Sequence, residues 1–327
     1  MRRSQTGRTA AGTLAAAAVL AVAGCGSPQA DPRGPGVVSP GTRCLSDMPR
    51  YGGEPTTPST ATAAPHPSGT PSPVPATEGT EKDGVRITGI YGGSPGAAGT
   101  GCDPSAAPAA EFEVTNHGAA TMTYTITFTM QGYSNMERVV GPVGAGRTVR
   151  GTVPLDRTPG GVDGGTRVSI LKVRSVPTDE APSQGGPCPA SGVRLYIDQG
   201  DAAMGLRVVG LHLENCGKTG YTLNSRPRLQ ILDADHRPVD EVRIVPPSEI
   251  TVSDGPDGTD RPLTLAPGER AQAGLVWRNT VQGPDGGVDA PYVRVWAGPG
   301  AHPVMVTPEL DLGTTGKLGI HAWQKER

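Results

Sequence analysis

The residues best equipped for covalent chemistry are five cysteines, and the first, Cys25, stands where processing would expose it. Met1-Arg2-Arg3 and Arg8 form a basic start, Ala10 to Ala23 an apolar run, and small residues precede Cys25, which is the order of a cleavable export leader. The apolar run is too short to remain as a membrane span. The other four, Cys44, Cys102, Cys188 and Cys216, are an even number in an exported chain, where no glutathione pool keeps thiols reduced, so disulfides are expected. Four cysteines allow three connectivities, and the simplest pairs Cys44 with Cys102 and Cys188 with Cys216, each within its own half. Closing the loop from Cys188 to Cys216 adds about 3 kcal/mol in the chain-entropy account. No CxxC occurs and no histidine stands at ligand spacing beside these thiols, so neither redox nor metal chemistry is expected of them.

The remaining polar residues point to little chemistry. Asp254-Gly255-Pro256-Asp257-Gly258-Thr259-Asp260 offers three carboxylates to a hard cation, but lacks the alternate ligands and distal glutamate of a calcium loop, and reads as a solvated turn. His117, His212, His236, His302 and His321 are scattered singly; four fall in turns or at strand ends, and His212 takes the outward phase of its strand. Gly92-Gly93-Ser94-Pro95-Gly96 matches Gly-x-Ser-x-Gly in spacing alone, lying in a Gly/Pro-rich stretch with no helix-forming run after it, so a hydrolase is only a lesser alternative to a protein without catalytic chemistry. Trp277, Trp296 and Trp323 are expected in the core, with Trp296 or Trp323 as a sugar-stacking platform if exposed. Neither metal nor cofactor is expected.

Val22, Ala23 and Gly24 before Cys25 resemble the lipobox of bacterial prolipoproteins. That resemblance implies a diacylglyceryl thioether on Cys25, removal of the leader, and a further acyl chain such as palmitate on the freed amine. It implies a protein anchored on the extracytoplasmic face of the cell membrane. Each buried methylene contributes about 0.8 kcal/mol, so two or more chains hold where one is marginal.

Glycine (48) and proline (34) make up a quarter of the 327 residues while phenylalanine is nearly absent (2), so any core must be built from Val, Leu and Ile. A formal charge of −2 and the absence of a basic stripe with interleaved aromatics exclude a nucleic-acid partner. The expected partners are the membrane, through the lipid, and an envelope protein or cell-wall glycan. The excess of Ala, Gly, Pro, Thr and Arg over Lys and Asn is a bias typical of GC-rich genomes such as those of actinobacteria.

These features place a signal peptide at 1–24, and an anchor with a disordered linker at 25–82. Glu54-Pro55-Thr56-Thr57-Pro58 through Thr70-Pro71-Ser72-Pro73-Val74-Pro75 buries too little apolar area to order and reads as an extended stalk. A first β domain follows at 83–178. Met122, Tyr124, Ile126, Phe128 and Met130 alternate with threonines, the period of a half-buried strand. Phe112 and Val114 precede it as a shorter strand, and Thr115-Asn116-His117-Gly118 reads as the turn of a hairpin between them. Arg86 to Tyr91, Thr148 to Val153 and Val168 to Val173 are further strands.

A polar linker, Thr178 to Gly186, leads to a second domain at 187–327, where Val193 to Ile197, Val209 to Leu213, Leu229 to Asp233, Leu263 to Leu265, Leu275 to Trp277, Tyr292 to Trp296, Val304 to Val306 and Leu318 to Trp323 read as strands. The fold class is all-β: two antiparallel immunoglobulin-like sandwiches. Cys188-Pro189, Gly205-Leu206-Arg207, Leu211-His212-Leu213-Glu214-Asn215, Ser225-Arg226-Pro227, Leu265-Ala266-Pro267-Gly268 and Leu275-Val276-Trp277 resemble the actinobacterial lipoprotein domain of unknown function 4232. Ser225-Arg226 stands in place of that family's Gly-Tyr, and its later cysteine is missing near Asn279 to Gly287, so no second disulfide within this domain is carried over. The resemblance implies an immunoglobulin-like sandwich in the envelope and no assigned activity.

Overall fold

Alternation on Met122–Met130 is kept in space: Tyr124, Ile126, Phe128 and Met130 are buried, and the intervening threonines take the opposite face. The computed structural model describes residues 69–92, 108–130, 134–155, 167–251, 261–280 and 286–326. Cys25, Cys44, Cys102, the proposed stalk up to residue 68 and the carboxylate loop at 254–260 lie outside the described residues.

The first region has strands β1 Ser72–Pro73, β2 Glu81–Lys82, β3 Val85–Tyr91, β4 Ala109–Thr115, β5 Met122–Met130, β6 Ser134–Val143, β7 Thr148–Pro154 and β8 Val168–Pro177. One sheet runs β1-β3-β4-β7 with β2 also on β3, and the other runs β6-β5-β8. They face each other across a core that includes Val85, Ile87, Phe112, Val114, Ile126, Phe128 and Val173, with the two phenylalanine rings 5.0 Å apart. Each such side chain contributes roughly 1.5–3 kcal/mol by leaving water.

Two expectations are corrected here. The stretch Thr115-Asn116-His117-Gly118 does not close a hairpin, because β4 pairs with β3 and β7 while β5 pairs with β6 and β8. The reason is Asn116, whose buried side chain donates to Ala120 O at 2.7 Å and Val143 O at 2.8 Å and accepts from Gly118 N at 2.9 Å, carrying the chain over the core to the other sheet. Nor does the linker run disordered to residue 82. Ser72–Pro73 pairs with Ile90 and Gly89, Val74 N donates to Thr88 O, and Glu81–Lys82 pairs with Arg86 and Val85, so the apolar Val74 is drawn onto the core.

The second region has β9 Val193–Ile197, β10 Asp201–Ala203, β11 Leu206–Asn215, β12 Tyr221–Leu223, β13 Arg228–Leu232, β14 Arg243–Val245, β15 Leu263–Leu265, β16 Arg270–Arg278, β17 Asp289–Ala290, β18 Tyr292–Trp296, β19 Val304–Val306, β20 Leu310–Asp311, β21 Lys317–Ile320 and β22 Gln324–Lys325. Among the described residues no α-helix occurs, and the 3-10 turns are Thr178–Glu180 and Pro247–Glu249. A seven-stranded sheet built on β11, β16 and β21 faces the β12–β15 and β13-β18-β19 sheets across Leu211, Leu213, Leu275, Leu223, Ile231, Val293 and Val295. The pairing of β14 with β21 is parallel, a departure from the all-antiparallel expectation.

The two regions repeat one plan. The β3-β4-β7 order returns as β9-β11-β16, and the pairing of β5 with β6 and β8 returns as β12 with β15 and β13 with β18. Within this register Met122 opposite Val143 corresponds to Tyr221 opposite Leu265.

The stretch between the regions is not a free linker. Val176 packs with Leu232, Tyr292 and Met305. Ser175 N donates to the Tyr292 hydroxyl at 3.1 Å, Arg174 grips Glu309 through two bonds of 2.9 and 2.7 Å, and Arg294 donates to Glu180 at 2.7 Å. The connection is therefore docked on the outer face of the β13-β18-β19 sheet, and a fork of two parallel charge-assisted bonds fixes its orientation.

Candidate functional site

At one end of the second region a cleft of about 470 Å³ is lined by Ser191, residues 220–222 and residues 299–302. One wall is the ladder that sets Tyr221 opposite Leu265 and Thr222 opposite Thr264, whose hydroxyls lie 3.3 Å apart. The facing wall is held by Asn224 N, which donates to Ala297 O at 3.0 Å, and by a backbone approach at Gly298 so close that a Cβ there would stand 2.3 Å from Thr222 O. Only glycine fits that approach. The third side is tied by the Cys188–Cys216 disulfide, Cα to Cα 5.7 Å, which joins the segment entering Ser191 to the one entering Gly220. The expected Cys188 to Cys216 pairing is thus present, and it pins a wall of the cleft.

The lining offers hydrogen bonds, the Tyr221 phenol and the His302 imidazole, with neither carboxylate, lysine nor arginine among its residues. Burial pushes the Tyr221 phenol above its ordinary value. Ser191 and His302 share the cleft, which invites a nucleophile and base. Yet His302 Nδ1 lies 3.1 Å from Pro303 O and Nε2 lies 3.9 Å from Asp179, while the Ser191 hydroxyl donates to Val193 O at 3.2 Å. Neither ring nitrogen is set against the serine, so the two do not form a nucleophile–base pair.

Residues 188–324 match the family described as Domain of unknown function (DUF4232). The cleft and its disulfide fall inside this DUF4232 segment, and the first region falls outside it. No curated protein matches the chain.

Within the DUF4232 segment the other candidates are placed as follows. Trp277 is buried and donates from Nε1 to Asp311 at 2.6 Å, and Trp323 is buried with its Nε1 unpaired. Trp296 is half-buried, but the Arg228 guanidinium lies 3.7 Å from its ring centre. A sugar stacking on that face must displace a cation–π contact, so the indole, neither fully in the core as expected nor bare, is not an open platform. His212 faces outward as expected, stacked on Tyr196 at 5.2 Å, with Nδ1 2.8 Å from Glu326 and Nε2 3.2 Å from Asp198. Since each nitrogen meets a different carboxylate, the three residues bracket the ring and cannot converge on one cation. His236 sits edge-on to Tyr292 at 4.4 Å, and His321 is buried over Gly274.

Sequence reasoning passed over Tyr221, Thr222 and the 299–302 loop. The available signal was local: Gly298-Pro299-Gly300 is a strong turn cluster, and Gly220-Tyr221-Thr222 places an aromatic immediately after a flexible residue.

Proposed function

We propose that the protein is a lipid-anchored, extracytoplasmic binding or scaffolding module of the cell envelope, without catalytic chemistry, in which two immunoglobulin-like domains stand off the membrane on a Pro/Thr/Ser-rich stalk. The observation that carries this reading is the cleft at 191, 220–222 and 299–302, whose walls are fixed before any ligand arrives. A preformed wall spares the ligand the entropy of ordering it. Anchoring at Cys25 is supported by the leader and its lipobox-like end, and an oxidising compartment by the Cys188–Cys216 bridge. In sandwich folds the recognition chemistry resides on such grafted end surfaces rather than in the scaffold.

A photo-reactive side chain at Pro299, on the rim, tests the reading in intact cells against one at Arg150 on the first region. The reading expects capture of a discrete envelope species from the Pro299 position alone. Equal capture from both positions, or none from either, contradicts it.

A second reading, binding of a cell-wall carbohydrate, is favoured by Tyr221 and the hydroxyls beside it rather than by the tryptophans. Retention on purified cell wall, lost in Tyr221→Ala and kept in Trp296→Ala, is its expected outcome. A hydrolase is the weakest alternative, because His302 and Ser191 are each bonded elsewhere.

A further inference from the structure

The two regions share a corner but not its closure. In the first, Thr178 N donates to Thr121 O at 3.0 Å and the Thr178 and Thr123 hydroxyls lie 3.0 Å apart, so the outgoing Pro177-Thr178 seals the corner. By the shared register, Thr121 and Thr123 correspond to Gly220 and Thr222. There the outgoing chain turns away at Gly300, φ +67°, Ala301 N donates back to Gly298 O, and the corner stands open as the cleft.

We propose that the cleft receives an extended Pro-Thr or Pro-Ser peptide from an envelope partner, with the peptide's N–H and hydroxyl in the places that Thr178 fills in the first region. The inference rests on the reading of the protein as a binding module and names the chemistry of what it binds. Gly220 and Thr222 are exposed on the lining, with the Thr222 hydroxyl 3.3 Å from that of Thr264 and able to donate or accept, while Tyr221 packs partly on the core and leaves only its uncovered edge to meet a proline ring. The uncharged lining favours main-chain and hydroxyl contacts over ionic ones. Proline holds such a segment extended before it binds, which lowers the ordering cost.

The test is fluorescence anisotropy on the full-length chain in detergent, titrated against labelled Ala-Val-Pro-Thr-Ala-Ala, its threonine-to-alanine version and its N-methylthreonine version. Ser191→Trp, on the exposed rim, blocks the cleft without entering the core, and Thr222→Val removes only the hydroxyl. The proposal expects saturable binding that Ser191→Trp and the N-methyl peptide abolish, and that loss of either hydroxyl weakens about threefold to tenfold. Absence of saturable binding, or binding indifferent to Ser191→Trp and to the hydroxyls, overturns it. Saturation by cellotetraose with no peptide binding also overturns it, while leaving the binding-module reading intact; failure of cleft-specific capture in cells removes that reading itself.

Discussion

Asn116 and Asn215 make the same corner in the two regions. Each donates from Nδ2 to the carbonyl four residues on, Ala120 at 2.7 Å and Thr219 at 2.8 Å, and to one across the fold, Val143 at 2.8 Å and Leu265 at 2.9 Å. Each also accepts at Oδ1 from the amide two residues on, Gly118 at 2.9 Å and Gly217 at 3.1 Å. Both are 1% exposed, so these bonds replace water at groups that have no other access to it.

Replacing either asparagine by alanine leaves carbonyls without donors at the crossing between sheets. Asn116→Ala and Asn215→Ala should each lower unfolding stability by about 1–3 kcal/mol. Aspartate should serve no better, since it offers no donor to those carbonyls. Urea unfolding followed by circular dichroism measures this, and a cost below a few tenths at either site would contradict the equivalence.

The Cys188–Cys216 bridge closes a separation of 28 residues. Its reduction, verified by thiol titration, should lower stability by about 3 kcal/mol and reduce the melting temperature. An unchanged melt would show that the bridge does not constrain the fold.

The joint between the regions depends on Glu309, which accepts two bonds from Arg174 and lies 3.2 Å from Lys172. Arg174→Ala and Glu309→Ala should show a coupling of about 1 kcal/mol in a double-mutant cycle, because a two-point pair partly shielded from water retains more than a surface pair does. Limited proteolysis near 178–186 should accelerate in both single variants. Additive energies and unaltered cleavage would mean that the joint holds without this pair.

The hydrogen bond from Arg150, with help from Arg86, holds the Glu113 carboxyl below its ordinary value of 4.5 despite some burial. A depressed folded value contributes stability above the unfolded value and loses it as pH falls through the folded one. Arg150 is largely exposed, so the effect should be no more than about 1 kcal/mol. Wild type should lose its advantage over Glu113→Gln as pH drops from about 5 toward 3, read by denaturant titration. A constant difference across that range would contradict the pairing.

Much of the strand content was legible because alternation is a local property: Met122–Met130 and Val193–Ile197 declare their buried faces in the residues themselves. Sheet membership was not. Whether β4 folds back on β5 or crosses over depends on Asn116 meeting Val143, a contact of 27 positions' separation that no periodicity records. The short strands Asp201–Ala203 and Leu310–Asp311 were missed because two or three residues cannot establish a period. The cleft was hidden as well, since residues 220–222 and 299–302 come to line it only through the fold. The Cys188–Cys216 disulfide was accessible from the even cysteine count together with the placement of both residues in one half of the chain.

The tether is the premise on which the proposed function stands, and the intact mass of the protein extracted from the membranes of its own cells tests it most directly. The account predicts a chain beginning at Cys25 and carrying acyl groups, with Cys25→Ser appearing in the medium instead of the membrane fraction. An unacylated chain, or a Cys25→Ser protein that stays at the membrane, would contradict it.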